Sequence, residues 1–217
     1  MSNASYIARA AAALTLACSL NTAHAVLIVD TGEPFLAGSG SALMGSGDGR
    51  YHQFLAAMFT VAEGYTIDSA STHLQYSDPY WTSAGTFNFK LYGNNAGLPG
   101  TVLFSSSMLT VPVGAAGAWY SAGSLNWAIE PGSYWISLEA EESTLAILAS
   151  GAGRSLPHFA FDYGTDAPGT WHSLVSSTPS LRIDATPAIP EPSTFGLMAL
   201  GLAAVGVRRS IRHRQVL

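Results

Sequence analysis

The chain contains one cysteine, Cys18, and it lies inside the first apolar run. Anything downstream of that run can hold no disulfide, so its fold must rest on a buried apolar core. Basic residues are nearly as scarce. Of nine Lys and Arg, only Arg50, Lys90, Arg154 and Arg182 fall between Val26 and Ile189, against thirteen Asp and Glu, a balance of −9. Binding nucleic acid requires cationic side chains that displace phosphate counterions, so this deficit argues against a nucleic-acid partner. It argues equally against docking on an anionic lipid surface by charge alone. Charged residues of both signs make up 11% of the chain, well under the roughly 25% of ordinary globular proteins. Gly, Ser, Thr, Ala and aromatics fill the difference, as in an extracellular β-rich domain. The aromatic and β-branched content excludes a disordered chain.

Signatures of catalysis are missing as well. There is no Gly-x-Ser-x-Gly nucleophile elbow, and no cysteine nucleophile beyond Cys18. Gly45-Ser-Gly-Asp-Gly-Arg50 lacks the third glycine of a dinucleotide fingerprint and the Lys-Ser/Thr of a phosphate loop. Residues 38–49 read as a glycine-rich loop.

What the chain does have is clearest at its two ends. Arg9, an apolar run over 10–20, and small residues at Ala23 and Ala25 form the three parts of a secretory signal. Signal peptidase accepts small side chains one and three residues before its cut. Cleavage is therefore expected between Ala25 and Val26, leaving residues 1–25 as the signal peptide. A buried amino-terminal helix and lipoprotein processing at Cys18 are the alternatives; Thr15 stands where the latter needs leucine. At the other end come Pro190, Glu191 and Pro192, then 13 uncharged residues over 195–207, then Arg208, Arg209, Arg212 and Arg214. The prolines prevent regular structure around Glu191. As a helix, 195–207 would span about 20 Å, short of the roughly 30 Å of bilayer hydrocarbon. The arginine cluster would be retained on the cytoplasmic side. An ordinary single-pass anchor is the alternative.

Between the ends, residues 26–189 carry an apolar period of two. Phe87, Phe89 and Leu91 share one face and Asn88, Lys90 and Tyr92 the other. Residues 133–139 and 181–185 repeat the pattern. Further strands are expected over 26–29, 53–61, 66–76, 101–105, 119–129, 144–148 and 158–163, bounded by turn-forming groups such as 93–97, Pro99-Gly100, Pro131-Gly132 and Pro168-Gly169. Many short strands with frequent turns point to an all-β fold, an antiparallel β-sandwich of jelly-roll type.

The carboxy-terminal series of Pro190-Glu-Pro192, a short apolar helix and an arginine cluster resembles the PEP-CTERM sorting signal over 190–217. That resemblance implies recognition by an exosortase, a membrane protease that removes the tail at or near the motif. It also implies a bacterium that makes exopolysaccharide or biofilm matrix. The segment from Phe87 to Leu103, with its Gly93-Asn-Asn-Ala-Gly-Leu-Pro-Gly100 turn, is similar to a strand–turn–strand of choice-of-anchor extracellular domains. Gly132 to Leu138 is similar to a later strand of the same domains. No catalytic residues come with that resemblance.

Candidate chemistry in the middle is sparse. His52, His73, His158 and His172 lack paired ligand spacing, so no metal is assigned. Asp162, Gly164 and Asp166 are compatible with a structural Ca²⁺ or with a plain solvated turn. Glu139, Glu141 and Glu142 crowd a strand end, where they either blunt a sheet edge or supply the paired carboxylates of a glycoside hydrolase. Trp81, Trp119, Trp127, Trp135 and Trp171 are the aromatic resource. Trp135 is out of phase with Tyr134, Ile136 and Leu138, which makes Trp135 and Trp171 the candidates for stacking on sugar rings. Core packing is the competing use.

The resulting expectation is a non-enzymatic protein without a cofactor, exported across the inner membrane and held transiently by its tail. It would then pass to the cell surface or extracellular matrix. Its partners would be signal peptidase, an exosortase and exopolysaccharide. The alternative is a secreted carbohydrate-binding module or polysaccharide-active enzyme.

Overall fold

The computed structural model describes residues 24–34, 40–43, 51–76, 84–141, 147–151, 153–154, 156–164, 169–174 and 179–188. Met1–Pro187 is one compact unit and Ala188–Leu217 a second. The described residues contain no helix and form two antiparallel sheets, each of seven strands. The all-β, antiparallel sandwich expectation stands.

The first sheet is built around β4 (Tyr65–Tyr76). On one flank β4 pairs with β14 (Leu181–Pro187) and then β11 (Ile147–Ser150). On the other it pairs with β9 (Trp127–Ile129) and β8 (Ala118–Ala122). Beyond β14 lies β1 (Val26–Asp30), and beyond β11 lies β2 (Gly40–Leu43). Register fixes which side each residue faces. Val29, Ile183, Ala70 and Ala122 form one cross-strand row, and all are buried. The next row, Asp30, Arg182, Ser71 and Ser121, is polar and carries the Arg182–Asp30 ion pair and the Ser71–Ser121 hydrogen bond. A one-residue slip would exchange the two rows, so the pattern itself pins the register.

The second sheet runs β13 (Trp171–Leu174), β12 (Phe159–Gly164), β3 (His52–Val61), β10 (Gly132–Ala140), β5 (Gly85–Asn95), β6 (Leu98–Ser105), with β7 (Leu109–Val111) also on β5. Leu55, Ala57, Phe87, Phe89, Leu91, Ile136, Leu138 and Phe159 are buried on the face toward the first sheet. Phe104 stacks on Trp127 across the gap, with centroids 5.7 Å apart. Between β5 and β6, Ala96 and Gly97 both have positive φ (51° and 86°). This is the backbone of a tight primed hairpin, which glycine enters freely and alanine does not.

Several boundaries differ from the sequence reading. The single strand expected over 119–129 is two strands, β8 and β9, because Ser124 and Asn126 adopt left-handed φ values and break it. β2 arises within the segment read as a glycine-rich loop, and β7 and β13 were not expected. Of the strand expected over 144–148, residues 144–146 lie outside the described residues, and the strand found is Ile147–Ser150.

Two connections orient the domain. Val26, the first residue after the expected signal-peptidase cut, is the first residue of β1 and pairs with Ala185. The start of β1 and the last strand therefore meet at one end of the first sheet. Pro187 pairs there with Tyr65, just after the β3–β4 turn.

Candidate functional site

On the second sheet, the face turned away from the first was expected to meet solvent, yet it is enclosed. In a flat sheet β5 and β13 would lie four strand spacings apart, about 19 Å. The rings of Tyr92 on β5 and Trp171 on β13 nevertheless meet edge to face, with centroids 5.7 Å apart. The sheet must therefore curl, bringing β13 up to β6. Fully buried Ala56 and Ala160 leave room on its concave side.

The concave face holds two polar clusters. In the first, Glu139 of β10 accepts hydrogen bonds from the Tyr92 hydroxyl (2.5 Å), the Ser137 hydroxyl (2.9 Å) and the Lys90 ammonium (2.6 Å). Lys90 is a directly opposed partner of Ser137 in the register, so the sheet itself assembles this group. Burial pushes the Tyr92 phenol above its ordinary value of 10.0, and the Glu139 carboxylate adds to the shift. A raised acid constant means the folded state keeps a proton that the unfolded chain loses. The associated stability is present below pH 10.0 and is lost as pH climbs beyond it. Unfolding free energy measured between about pH 9 and 11 is expected to fall with pH, and Tyr92→Phe to flatten that slope. An unchanged slope in the variant would remove Tyr92 as the cause.

In the second cluster, Asp162 of β12 holds His52 Nε2 at 3.0 Å through one carboxylate oxygen and accepts the Gly169 amide through the other. His52 and Asp162 are both 1% exposed. The other ring nitrogen of His52, Nδ1, has no hydrogen-bond partner. Trp171 Nε1 is likewise buried and unpartnered. A His–Asp pair that activates a side-chain nucleophile holds that nucleophile at the other ring nitrogen. Nothing occupies that position among the described residues. Among the described residues, Glu139 and Asp162 are the buried carboxylates, and each is bound to internal donors.

These positions correct several sequence expectations. Trp135 is 0% exposed and its Nε1 donates to Asn94 Oδ1 at 3.0 Å. Trp171 is 8% exposed. Stacking on a sugar requires an open ring face, so neither tryptophan is a sugar platform; the curl of the sheet encloses both. Trp127 is buried on Phe104, and Trp119 lies beneath the Arg182 guanidinium, 4.0 Å from the ring centroid. Trp81 lies outside the described residues. Glu139 does not blunt an edge, because β10 is an interior strand between β3 and β5. Glu141 is exposed and accepts the Thr86 hydroxyl, while Glu142 lies outside the described residues. Asp162 turns inward to His52 rather than out to a cation, and Asp166 is not among the described residues. Among the described residues, no three His, Cys, Asp or Glu converge closely enough to hold a metal ion.

Sequence reasoning missed the His52–Asp162 pair, whose members stand 110 residues apart. It also missed Tyr51 and Tyr163. These two rings are 49% and 47% exposed and lie parallel, 2° apart in plane and 5.4 Å between centroids. Their alignment comes from the β3–β12 register, in which Tyr163 opposes Gln53.

The processing residues fall mostly beyond this geometry. Ala25 is exposed at the start of the described chain; Ala23, Pro190, Glu191, Pro192 and Arg208, Arg209, Arg212 and Arg214 lie outside it, as does the apolar segment 195–207. Among the described residues no helix is long and apolar enough to cross a membrane.

Comparison with known families places a protein-sorting motif at residues 188–210, which begins immediately after the last residue of β14. The chain thus ends in a sorting signal of an exported protein. In particular the motif is the PEP-CTERM type, which marks a substrate sorted by an exosortase, with carboxy-terminal processing toward the cell surface. A search of curated proteins finds no match to the chain.

Proposed function

We propose that the mature domain is a non-enzymatic component of the cell surface or exopolysaccharide matrix, of choice-of-anchor type, held in the membrane only transiently by its tail. The observation that carries this reading is the sorting motif at 188–210, joined without a linker to a folded β domain. Signal peptidase acts first in this account. Its cut before Val26 releases a terminus that is already the start of β1, so the processed chain needs no trimming to complete the sheet. The exosortase acts next, and the short apolar segment serves as a hold during that step. A structural role is further supported by the concave face of the second sheet, where Glu139 and Asp162 have internal partners and are buried.

Intact-mass spectrometry of the exported protein tests the processing. In cells with an exosortase, the chain is expected to start at Val26 and to lack residues beyond the Pro190–Pro192 region. In cells without one, it is expected to keep its arginine tail and stay with the membrane fraction. An intact carboxy terminus in both backgrounds would reject exosortase processing. Recovery of the processed protein in the soluble periplasm, with none in the surface or matrix fractions, would reject the matrix assignment.

A further inference from the structure

We infer that the carboxy-terminal tip of β14, Thr186 and Pro187, belongs to the segment the exosortase reads, and that this tip must leave the sheet before the tail is cut. The claim rests on exosortase processing of the tail and adds the stretch of folded chain that the enzyme has to open. Spacing is the constraint. Pro187 is still paired with Tyr65, and the sorting motif begins at the next residue, exposed Ala188. Three residues separate Pro187 from Pro190, about 10 Å of fully extended chain. Neighbouring strands of a sheet already stand about 4.8 Å apart, so that length is only two strand spacings. A protease cleft has walls of its own and holds its substrate extended, gripping several residues before the bond it cuts. With the ladder closed to Pro187, the free chain is too short for such a cleft.

β14 is weakest where it would have to open. Its register against β4 shifts between Asp184, opposite Ser69, and Ala185, opposite Ile67, so Asp68 is the extra residue of a bulge. A bulge disrupts the ladder locally and marks a boundary at which pairing can end. β1 supports β14 as far as Ala185, the partner of Val26. Among the described residues, Thr186 and Pro187 pair with β4 alone, through Thr66 and Tyr65. Pro187 also brings no amide hydrogen to the ladder. Both tip residues are half-buried, whereas Leu181, Ile183 and Ala185 are fully buried. The side-chain contact that holds the tip is the Thr186 hydroxyl, which donates to Asp68 Oδ2 at 2.7 Å. Opening such an end draws on local rather than global stability. Cleavage by a protease that needs the open form then follows the population of that form.

Crosslinking the tip tests this in the full chain. Thr66→Cys/Thr186→Cys puts two thiols at directly opposed positions, within reach of a disulfide, and no cysteine after Cys18 competes. Ser69→Cys/Asp184→Cys bridges the same two strands on the other side of the bulge and leaves the tip free. Tail removal is followed by pulse-chase and intact mass in cells carrying an exosortase. The tip bridge is expected to slow removal about tenfold or more, and the other bridge to leave it within about twofold of wild type. Inserting a flexible Gly-Ser stretch of about eight residues between Pro187 and Ala188 should restore the rate in the tip-bridged chain, because about 25 Å of free chain then precedes the motif. Thermal midpoints establish that the bridged chains are folded. Should the tip-bridged chain fail to fold, Thr186→Val replaces it; losing the Asp68 contact is expected to speed removal about threefold. Removal at the wild-type rate in the tip variant used, equal slowing by both bridges, or a tip-bridge block that the insertion does not relieve overturns the inference and leaves exosortase processing standing. An intact tail in wild type rejects exosortase processing itself, and the inference with it.

Discussion

Replacing Trp135 with alanine is expected to lower the unfolding free energy of the β domain by about 3–5 kcal/mol. That is a large share of the roughly 5–15 kcal/mol typical of a whole domain. The effect follows from position. Trp135 is fully buried on β10, with Tyr92 opposite on β5 and Met58 opposite on β3. These interior strands cannot readily collapse into the vacated volume, because both neighbours are fixed by ladder hydrogen bonds. The cost should come mainly from packing. The Asn94 carbonyl that accepts the indole N–H lies on an exposed residue, so water can replace that bond at small penalty. Trp135→Phe separates the two contributions: it keeps most of the ring volume and is expected to cost about 1–2 kcal/mol. Urea unfolding of wild type and both variants measures the difference. A loss below about 1 kcal/mol for the alanine variant would mean that the concave face is not a second packed core, and that Trp135 is open to a ligand after all.

Trp135 also marks where the sequence stops being readable. Period-two alternation correctly places Phe87, Phe89 and Leu91 inward, and all three are fully buried. The same rule sends Trp135, Ser137 and Glu139 outward to solvent, and each is buried. Alternation assigns residues to two faces but says nothing about whether a sheet curls over one of them. That curl depends on contacts such as Tyr92 with Trp171, separated in sequence by nearly half the domain. The His52–Asp162 pair was hidden for the same reason. Neither residue has a neighbour in sequence that signals a partner, and only the β3–β12 register brings them together. Short strands such as β7 and β13 lack enough residues for any period to show. The left-handed residues Ser124 and Asn126 broke a run whose composition alone looked continuous. The sorting motif posed no such difficulty. It is a linear signal within residues 188–210, so its residue order carried the information directly.

Asp162→Ala is expected to be the second severe substitution, costing about 3–5 kcal/mol. It removes the acceptor that buried His52 and the Gly169 amide share. Gly169 is exposed, so its amide can turn to water; His52 cannot, and Nδ1 already lacks a partner. Losing the bond at Nε2 would leave the imidazole with no hydrogen bond on either nitrogen inside the protein. Asp162→Asn should be milder but still destabilising. Its amide offers one acceptor where the carboxylate offers two, and the amide N–H₂ would face either His52 or Gly169 as a second donor. The decisive variant replaces both members, His52→Phe with Asp162→Leu. If the pair only braces the curled sheet, an apolar pair of similar size should recover most of the stability lost in Asp162→Ala, because burying the polar groups was itself costly. Export, processing and matrix localisation should then survive as well. Recovered stability with localisation lost would assign the pair a functional role that bracing does not require. Additive losses in the double-mutant cycle, with no coupling between positions 52 and 162, would show that the hydrogen bond at 3.0 Å contributes little to holding β3 against β12.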